Sequence, residues 1–482
     1  MRKTIFFLTV IVAITICPST VITADQNTPP LGCIKWEFET DGAVIGSVTI
    51  GVQDRVHVAC EDGNLYTLDA DGALLWTFDA NTPLLSSPSL GPDGSVYVGA
   101  EDGTMFAIDQ NGNLRLTHTT NGRIYSSPEI SDNGAVYVAS MDGTLYALGP
   151  NGSDLWNNTL KGVGRNPSGS ILASPNIGND GTIYIGGLYD PNLYALNPDD
   201  GSVKWICIFE NLIDPCEECG WPVTSPVIAP DGTIYQTLLH DSYLYAIDAN
   251  DGNILWATNL ADPCSGWFEP NYAQDYSQPD SWSEPAIGPD GTIYVSLDDP
   301  YLRAVSPDGE MLWVTKLGVV GAFVLTIDSD GFIYAASDDG DLCVVSPDGV
   351  EVSRFETDGW PGYPVIAGPN TIIVSDTRDY SVMMPDARNK VVAISTDSCE
   401  DKSFALHWPE DLDGSGTVDW SDIEMLANNW LGCTTFVSDM YQFPICDFAE
   451  ERAYPTGDVN KNMSVDFADW VVLAKRWLDG SK

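Results

Sequence analysis

Four stretches of the chain repeat one another: SSPSLGPDGSVYVGAEDGTMFAID from Ser86, SSPEISDNGAVYVASMDGTLYALG from Ser126, ASPNIGNDGTIYIGGLYDPNLYALN from Ala173 and TSPVIAPDGTIYQTLLHDSYLYAID from Thr224. Each reads as a short apolar strand, an Asp-Gly or Asn-Gly turn, a strand centred on Tyr, a second turn, and a strand of the LYA type. A further Asp-Gly or Asn-Gly then leads to a fourth strand that usually carries Trp. Gly accepts the positive φ of a tight hairpin, and Asp or Asn bonds back to its own backbone. Four strands in about 40 residues, repeated, form a unit that cannot bury both faces alone. Such units must stack on one another, and a β-propeller is the closed way to do so.

Tyr97, Tyr137, Tyr184, Tyr235, Tyr294 and Tyr334 recur at one strand position, and Trp76, Trp156, Trp205, Trp256 and Trp313 recur on the fourth strand. Packing between neighbouring blades is the role expected of both sets. First strands start near Val44, Leu84, Ile124, Ile171, Val223, Trp282, Phe323 and Tyr363, which predicts eight blades, the last two irregular. KWEFETDG at Lys35 aligns with LWTFDANT at Leu75, so Trp36 lies on a fourth strand that no first three strands precede. That strand is expected to complete the eighth blade beside KVVAIS near Val391, removing both open sheet edges. Cys33 and Cys399 flank the join and suggest a disulfide across it, whereas Cys60 and Cys343 fall within or beside strands and read as buried thiols.

Through elements of the form SSP, DGTIYVG, DGxLYAID and DGxxxW, residues 33–400 resemble the pyrroloquinoline-quinone (PQQ)-type β-propeller family. The resemblance implies an all-β eight-bladed ring. It leaves function open: some members are quinone-dependent alcohol or sugar dehydrogenases, and others, such as an outer-membrane assembly lipoprotein, bind no cofactor and act as scaffolds. The dehydrogenases that oxidise alcohols commonly carry adjacent cysteines, and the nearest approach here is the spaced pair Cys216 and Cys219. PQQ is therefore not expected. The four histidines, His57, His118, His240 and His407, lack metal-ligand spacing. Neither a GxSxG elbow nor a phosphate-binding loop is present. No catalytic residue stands out, although a glycoside hydrolase or lyase assembled from several blades would leave no compact motif.

Two insertions, Ile206 to Pro222 and Thr258 to Ser281, follow the fourth strands of blades four and five. They carry Trp221, Trp267, Phe268, Tyr272 and Tyr276, with Trp282 directly after, and Cys207, Cys216, Cys219 and Cys264, enough for two bridges. Two readings stand side by side: a disulfide-pinned plug over the central channel, or an aromatic platform for sugar rings or a protein partner.

The chain changes character at DLDGSGTVDWSD. Asp411, Asp413, Ser415, Thr417, Asp419 and Asp422 take positions 1, 3, 5, 7, 9 and 12 of a loop, and Gly416 allows the sharp turn at position 6. Calcium takes several hard oxygens at once, which a loop of this spacing supplies. DVNKNMSVDFAD repeats the frame with Asp458, Asn460, Asn462, Ser464, Asp466 and Asp469, and each loop runs into a helical pattern, IEMLANNWL and WVVLAKRWL. Asp at position 12, with one helix after each loop, makes residues 410–482 similar to a type I dockerin, a small all-α, EF-hand-like domain. That resemblance implies two calcium ions and a cohesin-like protein partner. Its docking positions fall on Trp420, Ser421, Phe467 and Ala468, where two aromatics depart from the family's Ser-Thr pattern. Cys433 and Cys446 lie close enough in sequence to bridge within the segment between the helices.

Residues 1–24 read as a secretory signal: basic Arg2 and Lys3, an apolar core from Ile5 to Ile16, and a small-residue segment ending at Ala24. Ile16 stands where a lipoprotein would need a small residue before Cys17. The formal net charge of -48 repels nucleic acid and anionic lipid. The sequence thus predicts an exported, non-catalytic propeller with a calcium-dependent docking module; the dockerin resemblance implies its display in an extracellular or cell-surface assembly concerned with polysaccharide.

Overall fold

The computed structural model describes residues 33–160, 171–187, 190–209, 222, 224–238, 241–261, 283–297, 299–317, 322–337, 340–357, 360–368, 370–377 and 389–396. They lie within one compact unit, Met1–Ser398. The second unit, Cys399–Lys482, lies outside the described residues.

Eight antiparallel sheets follow one another along the chain. In the first, Thr49–Ile50, Val56–Ala59, Asn64–Leu68 and Leu74–Asp79 pair in sequence order, and the next six repeat this up-and-down path. Asp-Gly chemistry makes the hairpins. In the turn from Asp69 to Ala73, the Asp69 carboxylate accepts the amides of Asp71 and Ala73 at 3.0 and 2.9 Å, and Gly72 sits at φ +81°. The second strands, such as Val96–Gly99, are buried throughout because a blade packs on each face.

Eight hydrophobic clusters fill the gaps between consecutive blades. One joins Ala59 and Leu65 of the first blade to Val96 and Ile108 of the second; another joins Tyr294 and Ala304 of the sixth to Ile333 and Val345 of the seventh. The cluster of Val56, Val58 and Leu68 with Ile373, Val391 and Ala393 joins the first blade to the eighth. A chain of open blades would lack that cluster, so the ring is closed.

Closure comes from the N-terminal strand. Ile34–Glu39 pairs antiparallel with Lys390–Ser395, placing Trp36 opposite Ala393 and Phe38 opposite Val391. Lys390 Nζ reinforces the pair through Glu37 Oε1 at 2.7 Å. Cys33 is disulfide-bonded at the start of this strand; Cys399, the partner expected for it, lies outside the described residues. The clasp read from the spacing of Trp36 and Trp76 is therefore present.

The repeated tryptophans act between blades. Their indole nitrogens donate to carbonyls in the last hairpin of the following blade: Trp36 to Ala70 at 2.9, Trp76 to Gln110 at 3.1, Trp156 to Pro198 at 2.8, Trp205 to Ala249 at 2.8, Trp256 to Pro307 at 2.9 and Trp313 to Pro347 at 2.9 Å. Each ring lies against the positive-φ glycine of that hairpin. A Cβ on Gly72 would stand 2.5 Å from the Trp36 ring. Within a blade the recurring Tyr supports the Trp, with ring centroids 5.6 Å apart for Tyr184–Trp205 and 5.9 Å for Tyr137–Trp156. The second blade departs from the pattern and uses Leu116, against Gly152 of the third.

Three expectations need correction. Cys207 does not belong to an insertion. It lies on the strand Val203–Ile208, as a buried free thiol facing the fifth blade beside Trp205. The first insertion consequently starts beyond Ile208 rather than at Ile206. Third, Val44, Leu84, Ile124 and Ile171 are buried residues ahead of the innermost strands, which are only two residues long and start at Thr49, Ser89, Glu129 and Asn176. Cys60 and Cys343 are buried free thiols, as expected. The irregularity of the last two blades is also present: the seventh opens with a six-residue strand, Ala322–Ile327, and the eighth with two short ones, Trp360–Pro361 and Val365–Ile366.

Candidate functional site

The innermost strands bring the same repeat position of all eight blades to the axis of the ring. Strand register defines it as the residue two before the one paired with the recurring Tyr position. Blades one to five carry Ser47, Ser87, Ser127, Ser174 and Ser225 there; blade six carries Glu284, blade seven Val324 and blade eight Tyr363.

These side chains link blade to blade. The amide of Ser47 donates to Ser87 Oγ at 2.9 Å, that of Ser127 to Ser174 Oγ at 2.9 Å, and that of Ser174 to Ser225 Oγ at 3.0 Å. The serine hydroxyl oxygen thus satisfies an inner backbone donor of the preceding blade. At the sixth blade the acceptor changes: Ser225 N donates to Glu284 Oε1 at a longer 3.3 Å.

Glu284 is exposed to solvent, yet burial among protein atoms pushes its pKa up against the weaker opposing effect of Ser225. Tyr363 is 36% exposed, and enclosure followed by the charge of Glu284 pushes its phenol up to about 12. Two residues further along the third blade, Glu129 is raised to about 7 by burial alone. The innermost strands thus carry serine hydroxyls and two carboxyl groups whose ionised forms are disfavoured by burial.

Sequence reasoning missed Glu284 and Glu129. The signal lay inside the repeat, where SEP at Ser283 replaces SSP and SPE at Ser127 puts an acid after the proline. The expected aromatic platform, Trp221, Trp267, Phe268, Tyr272, Tyr276 and Trp282, lies outside the described residues, as do Cys216, Cys219 and Cys264. So do all twelve calcium-loop residues from Asp411 to Asp469, the docking positions Trp420, Ser421, Phe467 and Ala468, and the signal segment 1–24. Among the described residues, no group of three or more His, Cys, Asp and Glu converges as a metal site, and no helix is long and apolar enough to cross a membrane.

A family profile described as outer membrane protein assembly factor BamB matches residues 61–235 and 240–401, nearly the whole ring. The chain belongs to this family. Among solved structures, BamB from Moraxella catarrhalis is similar with a TM-score of 0.58 at 17% identity, over 75% of this chain and 99% of that one. The quinohemoprotein alcohol dehydrogenase from Comamonas testosteroni gives 0.60 at 13% identity over 78% of each chain. The computationally designed Ika8 protein gives 0.57 at 13%, over 76% of this chain and 99% of that one. At these identities the likenesses show the fold alone. No curated protein matches the chain.

The dehydrogenase fold raises the question of a quinone. PQQ is a tricarboxylate and calls for basic partners. The axial positions supply serine hydroxyls, Glu284, Glu129 and Tyr363, with no lysine or arginine among them.

Proposed function

We propose that the chain is a secreted, non-catalytic scaffold, in which a closed propeller is carried to its place of work by a calcium-dependent dockerin-like module. The observation that carries the reading is the tandem pair of oxygen-rich loops at Asp411 and Asp458, each leading into a helical pattern of the same length. Two ions would neutralise clustered carboxylates and order two helices for a cohesin-like partner. The propeller half fits a scaffold because its recurrent aromatics are engaged in blade-to-blade packing. Membership of a family described as an assembly factor points the same way. On this reading the assembly lies outside the cell and is concerned with polysaccharide, a context that the dockerin resemblance alone implies.

Capture from native culture fluid tests this. Full-length protein on a support should retain a partner in calcium and release it into chelator, and the double variant Asp411→Ala/Asp458→Ala should retain none. A partner held equally well without calcium, or by the double variant, contradicts the docking role. Turnover of a polysaccharide panel by purified protein would replace the scaffold with an enzyme.

A further inference from the structure

The strand Ile34–Glu39 differs from the other fourth strands in how it is held. Leu74–Asp79, for example, is continuous with its own blade through the hairpin at Asp69–Ala73. Ile34–Glu39 instead meets the eighth blade through backbone pairing and side chains, while its chain runs on into the first blade. Its seat is built in detail. Lys35 Nζ donates to Asn370 O and Thr371 Oγ1 at 2.7 and 2.6 Å, Trp36 Nε1 donates to Ala70 O at 2.9 Å, and Lys390 Nζ meets Glu37 Oε1 at 2.7 Å. Phe38 packs edge-on against Tyr66, with ring centroids 5.3 Å apart. No residue of the strand is fully buried. Beyond it, Thr40–Gly42 lead to Ala43 and Val44, which are buried, and Ala43 O accepts the amide of Glu61 in the first blade at 2.9 Å. The other end of the strand is tied by the disulfide of Cys33.

We propose that this seat takes the strand Ile34–Glu39 of a second copy of the chain, so that two rings exchange clasps, and that reduction of the Cys33 disulfide permits the exchange. Seat and strand are complementary whichever copy supplies the strand. Each contact described above reappears in the exchanged pair, and only the hinge at Thr40–Gly42 changes its path. Exchange of an identical element is therefore a low-cost route to a dimer. The closed monomer keeps the advantage of effective concentration, because its own strand is tethered beside the seat. Exchange consequently grows with protein concentration. The disulfide is a second tether at the opposite end of the strand. A dithiol reductant gives it two electrons and two protons, leaving Cys33 and its partner as thiols and the reductant as a disulfide. An unrelated extended peptide is served less well, since it would have to present a lysine, a tryptophan, an acid and an aromatic ring in the order read from Lys35 to Phe38. The formal net charge of -48 opposes the approach of two copies, so salt favours exchange. The exchange is independent of the C-terminal module.

Charge reversal across the seat identifies the exchange. Glu37→Lys and Lys390→Glu each bring like charges together in a closed monomer, whereas an exchanged pair made of one copy of each restores opposite charges at both seats. The two full-length variants, one of them isotope-labelled, are mixed in chelator, reduced with dithiothreitol and analysed by size exclusion and native mass spectrometry. The dimer of mixed mass is expected to exceed either dimer of uniform mass by at least about fivefold, against the roughly twofold excess of random pairing. The unmodified chain should form dimers in reductant as its concentration rises and should stay monomeric without it. A thermal melt shows whether each variant ring persists. If one does not, anisotropy of a labelled peptide IKWEFET on the reduced chains supplies the readout: Trp36→Ala, whose own strand is weakened, should bind the peptide at least about tenfold more tightly than the unmodified chain does, and the peptide with Ala for Trp should bind neither. Monomers alone in reductant, mixed and uniform dimers in random proportion, or equal peptide binding by the two chains would overturn the exchange. Dimers that form equally well without reductant would overturn the role of the disulfide.

Discussion

Trp36 lies opposite Ala393 in the strand pair that closes the ring, and its indole nitrogen reaches forward to Ala70 O at 2.9 Å. One residue thus sits in the eighth blade by pairing and locks onto the first blade by its side chain. The same lock recurs from Trp76, Trp156, Trp205, Trp256 and Trp313, but only Trp36 joins the two ends of the chain's propeller. Trp36→Ala should lower unfolding free energy by about 3 kcal/mol. Trp36→Phe keeps most of the packing and loses the bond, for about 1 kcal/mol. Urea unfolding measures both, and equal losses would show that the hydrogen bond, rather than burial, dominates the clasp.

Gly72 and Gly232 occupy similar turns at φ +81° and +93°, but their surroundings differ. A Cβ on Gly72 meets the Trp36 ring at 2.5 Å, while one on Gly232 meets nothing within 4 Å. Gly232→Ala should cost only the backbone strain, about 1 kcal/mol. Gly72→Ala adds displacement of the indole and should cost about 3 kcal/mol. Denaturant melts of the two variants decide the matter; equal costs would mean that the ring of Trp36 yields freely.

Glu129 titrates at about 7 in the fold against an ordinary 4.5, because burial disfavours its charge. The folded state therefore holds its proton longer than the unfolded chain does. This contribution favours folding below pH 4.5 and is lost as pH rises from 4.5 to 7. Glu129→Gln removes the penalty and should stabilise the protein at pH 8 by on the order of 3 kcal/mol, with no gain at pH 4. His57, depressed to about 4 mainly by burial, works in the opposite sense: its contribution is present above pH 6.5 and is lost as pH falls toward 4. The difference between Glu129→Gln and the unmodified protein cancels His57 and isolates the carboxyl. A difference that does not change between pH 4 and 8 would contradict the enclosure of Glu129.

Cys60 and Cys207 are pushed up to about 12 by burial, and Cys343 is likewise buried and free. The thiolate is the reactive form, so alkylation at pH 8 should leave peptides containing these three unlabelled in the native state. All three should label in denaturant. Native labelling of Cys207 would contradict its buried place on the strand Val203–Ile208.

The ring was legible because its signals are spacings. A period of about 40 residues counts the blades, and Trp36 lies one period ahead of Trp76, which announces the clasp. The innermost strands were misplaced because Val44 is apolar and buried outside any strand and Leu84 makes only an isolated bridge to Ala100, and hydrophobicity alone does not separate such residues from strand residues. Cys207 was readable in hindsight: two residues beyond Trp205 on a strand, it shares that residue's face. Glu284 and Glu129 were not readable as a site. Each is one acid among many, and its dehydration arises only when eight blades meet around it.

Differential scanning calorimetry of the full chain, in calcium and then in chelator, bears most directly on the claim that a propeller scaffold is carried by a calcium-ordered module. Two transitions are expected in calcium. Chelation, or the double variant Asp411→Ala/Asp458→Ala, should lower or abolish the smaller one and leave the large propeller transition in place. Superimposable thermograms with and without calcium would contradict the account.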